Sequence, residues 1–480
     1  MDLFPAAPAL PSWLILDRFI HRSDRDVEDE ADGTASEISY TCTNRPIRAS
    51  LRVADSPAVS RLYLDWPSRP EFGGRLREPH VIAAHNHSIL FRAIDPMSCK
   101  DTYRFPVDLF VYSAFSSPPS LHRLRTCFTG GVSTPDEDIY FKPYRHRQQR
   151  TMVEDHIGLL CHGSEGGFTV VDFTNLDLEG ELCLLQHHAL PASASHKNTE
   201  EADWMIKKVR LPPGPSVRRW ITNAIIPLRG CFLCWVDNYQ GILVVDVLNA
   251  SVKSSTDQLL HYIPLPDEAL QSDRRPDPDG DCPDKARCVC VIFGGMLKLV
   301  YITTRKANRA RSPFTIRSWT LPNFYRSRRW CRDHTMEAAE FWGLYNGQSL
   351  PWVKPMYPLV SLVNPDEFCF LLKEDHTTYW IIEVNMGNKM LKSSAIYINE
   401  EEEGCTTDRA RRIVFDGHSF IPSGLSNYLG MDAIKSRELS EMMQKAKQCR
   451  VAQKKSSQLE VEQAESKEHV AESKAAKCRA

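Results

Sequence analysis

Between about Trp13 and Leu425 the apolar residues come in short runs of four to eight, rich in Val, Ile, Leu, Phe and Tyr and bounded by Gly, Pro, Asn and Asp. Runs of this length and composition predict β-strands, because branched and aromatic side chains fit a pleated surface and the bounding residues favour turns. Examples are Ala49 to Val53, Arg61 to Trp66, His80 to Ala84, Ile89 to Ala93, Leu109 to Ala114, Phe168 to Phe173, Gly241 to Leu248, Cys288 to Phe293, Leu297 to Thr303 and Tyr379 to Val384. Amphipathic helical windows are scarce until the C-terminus.

The strands recur as a unit. Leu211-Pro212, Leu265-Pro266 and Leu321-Pro322 each close a strand-like run, 54 and 56 residues apart, and proline suits such an ending because it cannot donate to a further ladder. Val170-Val171-Asp172-Phe173, Val244-Val245-Asp246-Val247 and Ile381-Ile382-Glu383-Val384 give a second echo. The clearest unit runs from Ile221 to Pro266, with turns at Arg229-Gly230 and at Asp237 to Gly241. Four antiparallel strands in this length make one blade of a β-propeller. The expected fold is therefore all-β and β-propeller-like, with about six four-stranded blades near 13–70, 77–142, 153–212, 221–266, 286–322 and 357–421. Two β-sandwiches in series are the alternative arrangement.

The pattern changes near Met431. Beyond it the chain is dominated by Lys, Glu, Gln, Ala and Ser and has no Pro, Gly, Phe, Tyr or Trp, which predicts a charged helical or disordered tail over 431–480 following a single domain over 1–425. Acidic or polar stretches near 24–37, 192–201, 267–285 and 400–403 read as solvated loops.

Composition adds boundaries. With 480 residues, 42% hydrophobic and 25% charged, the chain is long enough for a sizeable core. A net charge of −2 supplies no general attraction to nucleic acid or an anionic membrane. Met1 to Leu10 lacks the basic start and unbroken apolar run of a secretory signal, and Gly230 to Leu248, the most apolar stretch, is broken by Asp237, Asn238 and Asp246. The expected location is cytoplasmic or nuclear, with no membrane segment. The 15 cysteines lack the dense spacing of a disulfide framework and are expected to be reduced.

At Ser12-Trp13-Leu14-Ile15-Leu16-Asp17, Leu233-Cys234-Trp235-Val236-Asp237, Gly241-Ile242-Leu243 and Ile263-Pro264-Leu265-Pro266 the chain resembles the plant family, expanded in grasses, built on domain of unknown function 1618. Phe314 to Pro322 and Pro358-Leu359-Val360-Ser361-Leu362 fit its later part. The resemblance implies the fold and carries no catalytic residue or cofactor. Related plant propellers often join an F-box helix bundle; Trp13 to Ile20 is too short for one, so substrate-adaptor work in ubiquitin ligation would need a separate F-box partner.

Candidate chemistry is sparse. Cys231-x-x-Cys234 has metal-pair spacing, but in a strand residues three apart face opposite ways. Cys288-x-Cys290 share a face without a second ligand pair, and core packing is the expectation for all four. His85-x-His87 and His187-His188 match no zinc signature and read as turn or surface residues. Gly163-Ser164-Glu165-Gly166-Gly167 lacks the G-x-S-x-G spacing and reads as a hairpin. No catalytic, cofactor or metal residue is assigned.

One charge feature remains. Lys285 to Arg332 contains Arg287, Lys298, Arg305, Lys306, Arg309, Arg311, Arg317, Arg326, Arg328, Arg329 and Arg332 without one acid. Arg326, Arg328, Arg329 and Arg332 form the candidate interaction patch, and solvated loops balanced by acids at 267–284 and 333–340 are the plainer reading. The functional expectation is a non-enzymatic scaffold for a protein partner, with nucleic acid disfavoured. The alternative is a hydrolase or lyase with its site at the propeller channel.

Overall fold

The computed structural model describes residues 10–22, 33–67, 79–94, 107–127, 150, 152–163, 166–176, 179–188, 203–212, 220–251, 260–270, 285–304, 313–324, 329–374, 378–399 and 420–429. Their strands fall into consecutive groups, antiparallel except for one parallel pairing within the first, between Leu14–Arg22 and Val59–Asp65. The first contains β1 (Leu14–Arg22), β2 (Ser39–Tyr40), β3 (Pro46–Arg52) and β4 (Val59–Asp65), and the second β5 (His80–His85), β6 (Ser88–Ile94), β7 (Val107–Ser113) and β8 (Ser120–Arg123). Then come β9 (Ile157–His162), β10 (Gly167–Leu176), β11 (Glu179–His187) and β12 (Met205–Arg210). The fourth group is β13 (Ala224–Leu228), β14 (Phe232–Asp237), β15 (Gly241–Asp246) and β16 (His261–Pro264). The fifth is β17 (Arg287–Ile292), β18 (Met296–Thr304), β19 (Phe314–Leu321) and β20 (Cys331–Glu337), and the sixth β21 (Met356–Val360), β22 (Glu367–Lys373), β23 (Thr378–Asn385) and β24 (Met390–Asn399).

The third to sixth groups are separate four-stranded sheets paired in simple succession. The first two are joined edge to edge by the pairing of Phe19 with His80. A last strand, β25 (Ile421–Ser423), lies antiparallel to β1 through Leu14 with Ser423 and Leu16 with Ile421, so the two ends of the described fold share one sheet.

Side-chain packing gives this succession its order. Separate apolar clusters join the second group to the third, the third to the fourth, the fourth to the fifth and the fifth to the sixth. A further cluster carries Trp13, Ile15 and Phe19 of the first group against Tyr357, Leu371, Tyr379 and Tyr397 of the sixth. The stack thus returns to its start. A nearly all-β, propeller-like fold of six units follows, as the strand grammar predicts.

Strand β14 shows why the sequence reads as runs rather than alternation. Phe232, Cys234 and Val236 enter the cluster shared with the fifth unit, while Leu233 and Trp235 enter the one shared with the third. All six β14 residues are buried, as expected where both faces of a strand are covered. Its hairpin with β13 turns through Arg229, Gly230 and Cys231, with Arg229 and Gly230 at positive φ (51° and 70°), the backbone of a short three-residue turn.

Several sequence boundaries need correction. Leu211-Pro212 and Leu265-Pro266 follow the fourth strand of their units, but Leu321-Pro322 closes β19, the third, and the fifth unit continues through β20. The shared ending marks a strand leaving its ladder, not a fixed place in the repeat. The sixth unit ends at β24, and Ile421 belongs to the first sheet. The strand expected to run to Leu248 stops at Asp246, whose side chain accepts from the Asn249 backbone N–H at 3.1 Å and caps the short helix α1 (Val247–Ser251). The Asp267 loop likewise opens as α2 (Asp267–Leu270), with Asp267 and Glu268 in its first turn. A third short helix, α3 (Ala338–Gly343), begins with a reciprocal capping box between Glu337 and Glu340.

The compact unit that is described spans Leu10–Leu429. The tail 431–480 and the stretches 192–201 and 400–403 lie outside the described residues, as do most of 24–37 and 267–285. Among the described residues no helix is long and apolar enough to cross a membrane.

Candidate functional site

Pro264, Leu265 and Pro266 end the outer strand of the fourth unit, and proline here leaves the edge without a full set of donors. Opposite them stand Trp319 on β19 and Arg329, Trp330 and Arg332 at the start of β20. Together with Asp267 and Glu268 of α2 these residues line an open cleft of ≈ 610 Å³ between the outer strands of units four and five. Trp319 and Leu265 form its floor, 3% and 2% exposed, within the cluster that joins the two units. Trp330 is half-buried and donates from Nε1 to the Pro264 carbonyl at 2.9 Å, which fixes the indole against the far wall. Arg329 and Arg332 rise exposed from the rim.

The candidate patch is thereby half located. Arg329 and Arg332 line the cleft; Arg326 and Arg328 lie outside the described residues. Arg332 pairs with Glu268 at 3.1 Å with both side chains about half exposed, so its charge is matched across the cleft. Two other cations of the run, Arg287 and Lys298, are structural. Arg287 is buried, donates to the Asn238 carbonyl at 2.7 Å and lies 4.0 Å over the Tyr301 ring. Lys298 is buried, donating to the Pro365 carbonyl at 2.6 Å beside Asp333 at 3.4 Å. A charge count along the chain does not separate these from rim arginines. Burial does.

Sequence reasoning did not find the aromatic half of the cleft. Trp319 and Trp330 are eleven positions apart, and what pairs them is the β19–β20 hairpin, a relation visible only once β20 is recognised.

A second concentration of chemistry lies where units two and three meet. His85 and His187 were expected at turns or on the surface, yet both are partly covered and engaged. The backbone N–H of Cys161 donates to His85 Nδ1 at 2.8 Å, and the Cys161 thiol donates to the His85 carbonyl at 3.0 Å, a double link from β9 to β5. His87 is buried, with Nδ1 within hydrogen-bond reach of Ser113 Oγ at 3.0 Å and Ser88 Oγ at 2.8 Å. His187 stacks on Phe168 with ring centres 4.7 Å apart and meets His122 at the same distance. Burial and the neighbouring His87 pull His85 down to about 4, and burial with His122, His188 and His162 brings His187 to about 4. These imidazoles are therefore neutral packing and hydrogen-bonding groups at neutral pH. Among the described residues no three His, Cys, Asp or Glu side chains are placed to hold a metal ion.

The cysteines pack as expected, with one adjustment. Cys234 is buried on β14, whereas Cys231 sits in the preceding turn and packs partly against the same cluster. Cys290 is buried with Cys288 beside it on one face. Ser164 lies outside the described residues; the flanking Gly163 and Gly166 take positive φ.

No curated protein matches the sequence. Among solved structures the chain is similar to an ulvan lyase of polysaccharide lyase family 25, at 8% identity and a TM-score of 0.32, covering 82% of this chain and 87% of that one. It is also similar to the α-L-arabinanase of Penicillium chrysogenum, at 9% identity and a TM-score of 0.25, over 63% and 77% of the two chains. A levansucrase matches at 9% identity and a TM-score of 0.26, over 70% and 92%. Likeness this low carries no chemistry to the present chain. Residues 235–369, from within β14 to β22 and including the whole cleft, match the model of the family described as Protein of unknown function (DUF1618).

Proposed function

We propose that the chain is a non-enzymatic scaffold that receives a protein partner in the cleft between units four and five. The observation that carries this reading is the combination of a firmly packed floor, Trp319 and Leu265, with an aromatic wall at Trp330 and exposed guanidinium groups at Arg329 and Arg332. Tryptophan and arginine give the largest energies at protein interfaces, because each joins apolar area to directed donors. The floor is rigid, so a partner segment loses little to reordering on this side. The local charge is nearly balanced by Asp267 and Glu268, which favours a mixed polar and apolar peptide surface over a polyanion such as nucleic acid. In this reading the encounter takes place in the cytoplasm or nucleus.

The test is a quantitative pull-down from native tissue comparing wild type with the double substitution Arg329→Ala and Trp330→Ala, both variants first shown to melt as cooperatively as wild type. A partner recovered by wild type and reduced at least about tenfold by the double variant supports the reading, since one interface hot spot is worth more than about 1.4 kcal/mol. Equal recovery of every bound protein overturns it.

A further inference from the structure

Cys127 follows the outer strand of unit two, and Cys183 lies at the centre of β11 in unit three. Their sulfur atoms are 3.6 Å apart, in contact inside the cluster that joins the two units, although the residues are 56 positions apart in the chain. Neither thiol is needed there as bulk alone, because a Cys–Cys contact supplies a weak hydrogen bond where an apolar pair would pack as well.

The surroundings are unusual for an inert core thiol. The backbone N–H of Arg150 donates to the Cys127 carbonyl at 2.8 Å, and the Arg150 guanidinium is held by Asp172 at 3.3 Å and Glu181 at 2.5 Å, with a Thr174 contact at 3.3 Å. A cation is thus anchored next to the sulfur pair. The hydrogen bond with Cys183 draws the Cys127 thiol below its ordinary pKa and the guanidinium acts in the same direction, while the same bond and burial hold Cys183 high. Cys127 is the member of the pair nearer to solvent and bonded through its carbonyl to the Arg150 backbone, which places it to react first and Cys183 to resolve it.

We infer that Cys127 and Cys183 form a reversible redox staple, closed by peroxide, between units two and three. The Cys127 thiolate attacks one oxygen of hydrogen peroxide, the O–O bond breaks, and the products are Cys127 sulfenic acid and hydroxide, which takes up a proton to become water. Cys183 then gives its proton to the departing hydroxide as its sulfur attacks Cys127 Sγ; the S–O bond breaks and the S–S bond forms. Two thiols are oxidised and one peroxide is reduced to two waters. Cys127 starts the sequence because it is 4% exposed and Cys183 is fully enclosed. A small oxidant is required, and a bulky disulfide would not reach the sulfur. Cross-linking sites 56 residues apart removes loop-closure freedom from the unfolded chain, so the oxidised form should melt several degrees higher.

The full-length chain, reduced and then exposed to hydrogen peroxide, should be quenched under denaturing conditions, alkylated, digested without reductant and mapped by mass spectrometry. The expected product is a Cys127–Cys183 peptide lighter than its two parts by two hydrogens, reversed by dithiothreitol, with the rise in melting temperature lost on the same treatment. Its yield from the folded chain should exceed that from the urea-unfolded chain at least about tenfold, because the folded packing supplies the proximity. In Cys183→Ser the linked peptide disappears and Cys127 proceeds to sulfinic acid. Should that variant fail to fold, the wild-type map decides alone. Independent alkylation of both residues after peroxide exposure, or equal yield from folded and unfolded chains, overturns the inference.

Discussion

The Tyr397 hydroxyl donates to Asp17 Oδ2 at 3.0 Å across 380 positions of sequence. Asp17 belongs to β1 and Tyr397 to β24, so this one bond ties the first unit to the sixth. Asp17 is 2% exposed and also accepts from the Phe19 backbone N–H at 3.0 Å, with Arg61 at 3.6 Å. A buried carboxylate depends on such donors, because water cannot replace one that is lost. Tyr397→Phe keeps the ring packed on Phe420 and should cost about 1.5–3 kcal/mol, the usual range for a hydrogen bond to a charged group. Urea denaturation should show a lower midpoint with an unchanged slope.

Closure through β25 makes a sharper prediction. Truncation after residue 419 removes Phe420, Leu425 and the strand that pairs with Leu14 to Leu16, exposing an edge inside the fold and losing apolar burial. The shortened chain should show no cooperative melt or one far below wild type. Truncation after residue 435 keeps all of these groups and is expected to leave the thermal transition intact, since the removed sequence offers too little apolar surface to offset its ordering. A calorimetric scan of both chains separates the outcomes.

Trp235 and Trp352 form a matched pair of tests for burial. Trp235 is 0% exposed, packs on Phe173 at 5.4 Å and donates to the His156 carbonyl at 3.1 Å; Trp352 is 57% exposed and stacks only on Trp342, at 6.0 Å, among the ring contacts described. Trp235→Ala should cost about 3–5 kcal/mol by cavity formation and a lost bond, and Trp352→Ala less than about 1 kcal/mol. Equal melting shifts would contradict the packing of the third and fourth units.

The burial of Trp235 was legible because apolar neighbours surround it within a recognisable four-strand unit, and the six-unit count was legible because each unit repeats that grammar. The strand β20 was not. Its sequence, Cys-Arg-Asp-His-Thr-Met-Glu, is polar at nearly every position because it is an outer edge strand with little apolar surface to bury. Without β20 the meeting of the Trp319 floor and the Trp330 wall of the cleft has no visible origin. The return of Ile421 to β1 was equally hidden, since strand pairing across the whole chain leaves no local signal in either partner.

Within the cleft, Arg332 and Glu268 should contribute little to stability. Their pair is 3.1 Å long but 52% and 45% exposed, and exposed pairs lose most of their Coulomb energy to solvent screening. Arg332→Ala should move the denaturation midpoint by no more than about 0.5 kcal/mol equivalent, in low or high salt alike. A larger, salt-sensitive loss would mean that the rim arginine is held for folding rather than left for a partner.

The seam between units two and three gives a pH prediction whose sign follows from His85. Its Nδ1 accepts the Cys161 N–H at 2.8 Å, so that nitrogen must stay unprotonated in the fold, and burial with His87 nearby lowers its pKa from 6.5 to about 4. An unfolded histidine binds its proton near pH 6.5, so the His85 contribution is complete above that value and is lost progressively between about 6.5 and 4, by up to about 1.4 kcal/mol per pH unit. Asp172, raised to about 6 by burial, works in the opposite direction over part of this range, which makes the wild-type profile alone uninformative. His85→Gln resolves it: the amide oxygen can accept the same Cys161 N–H, and the side chain does not titrate. The difference in stability between variant and wild type should shift in favour of the variant as pH falls from 7 to 4.5. Chemical denaturation at several pH values measures that difference directly, and a difference independent of pH would show that His85 is already charged or solvated in the native seam.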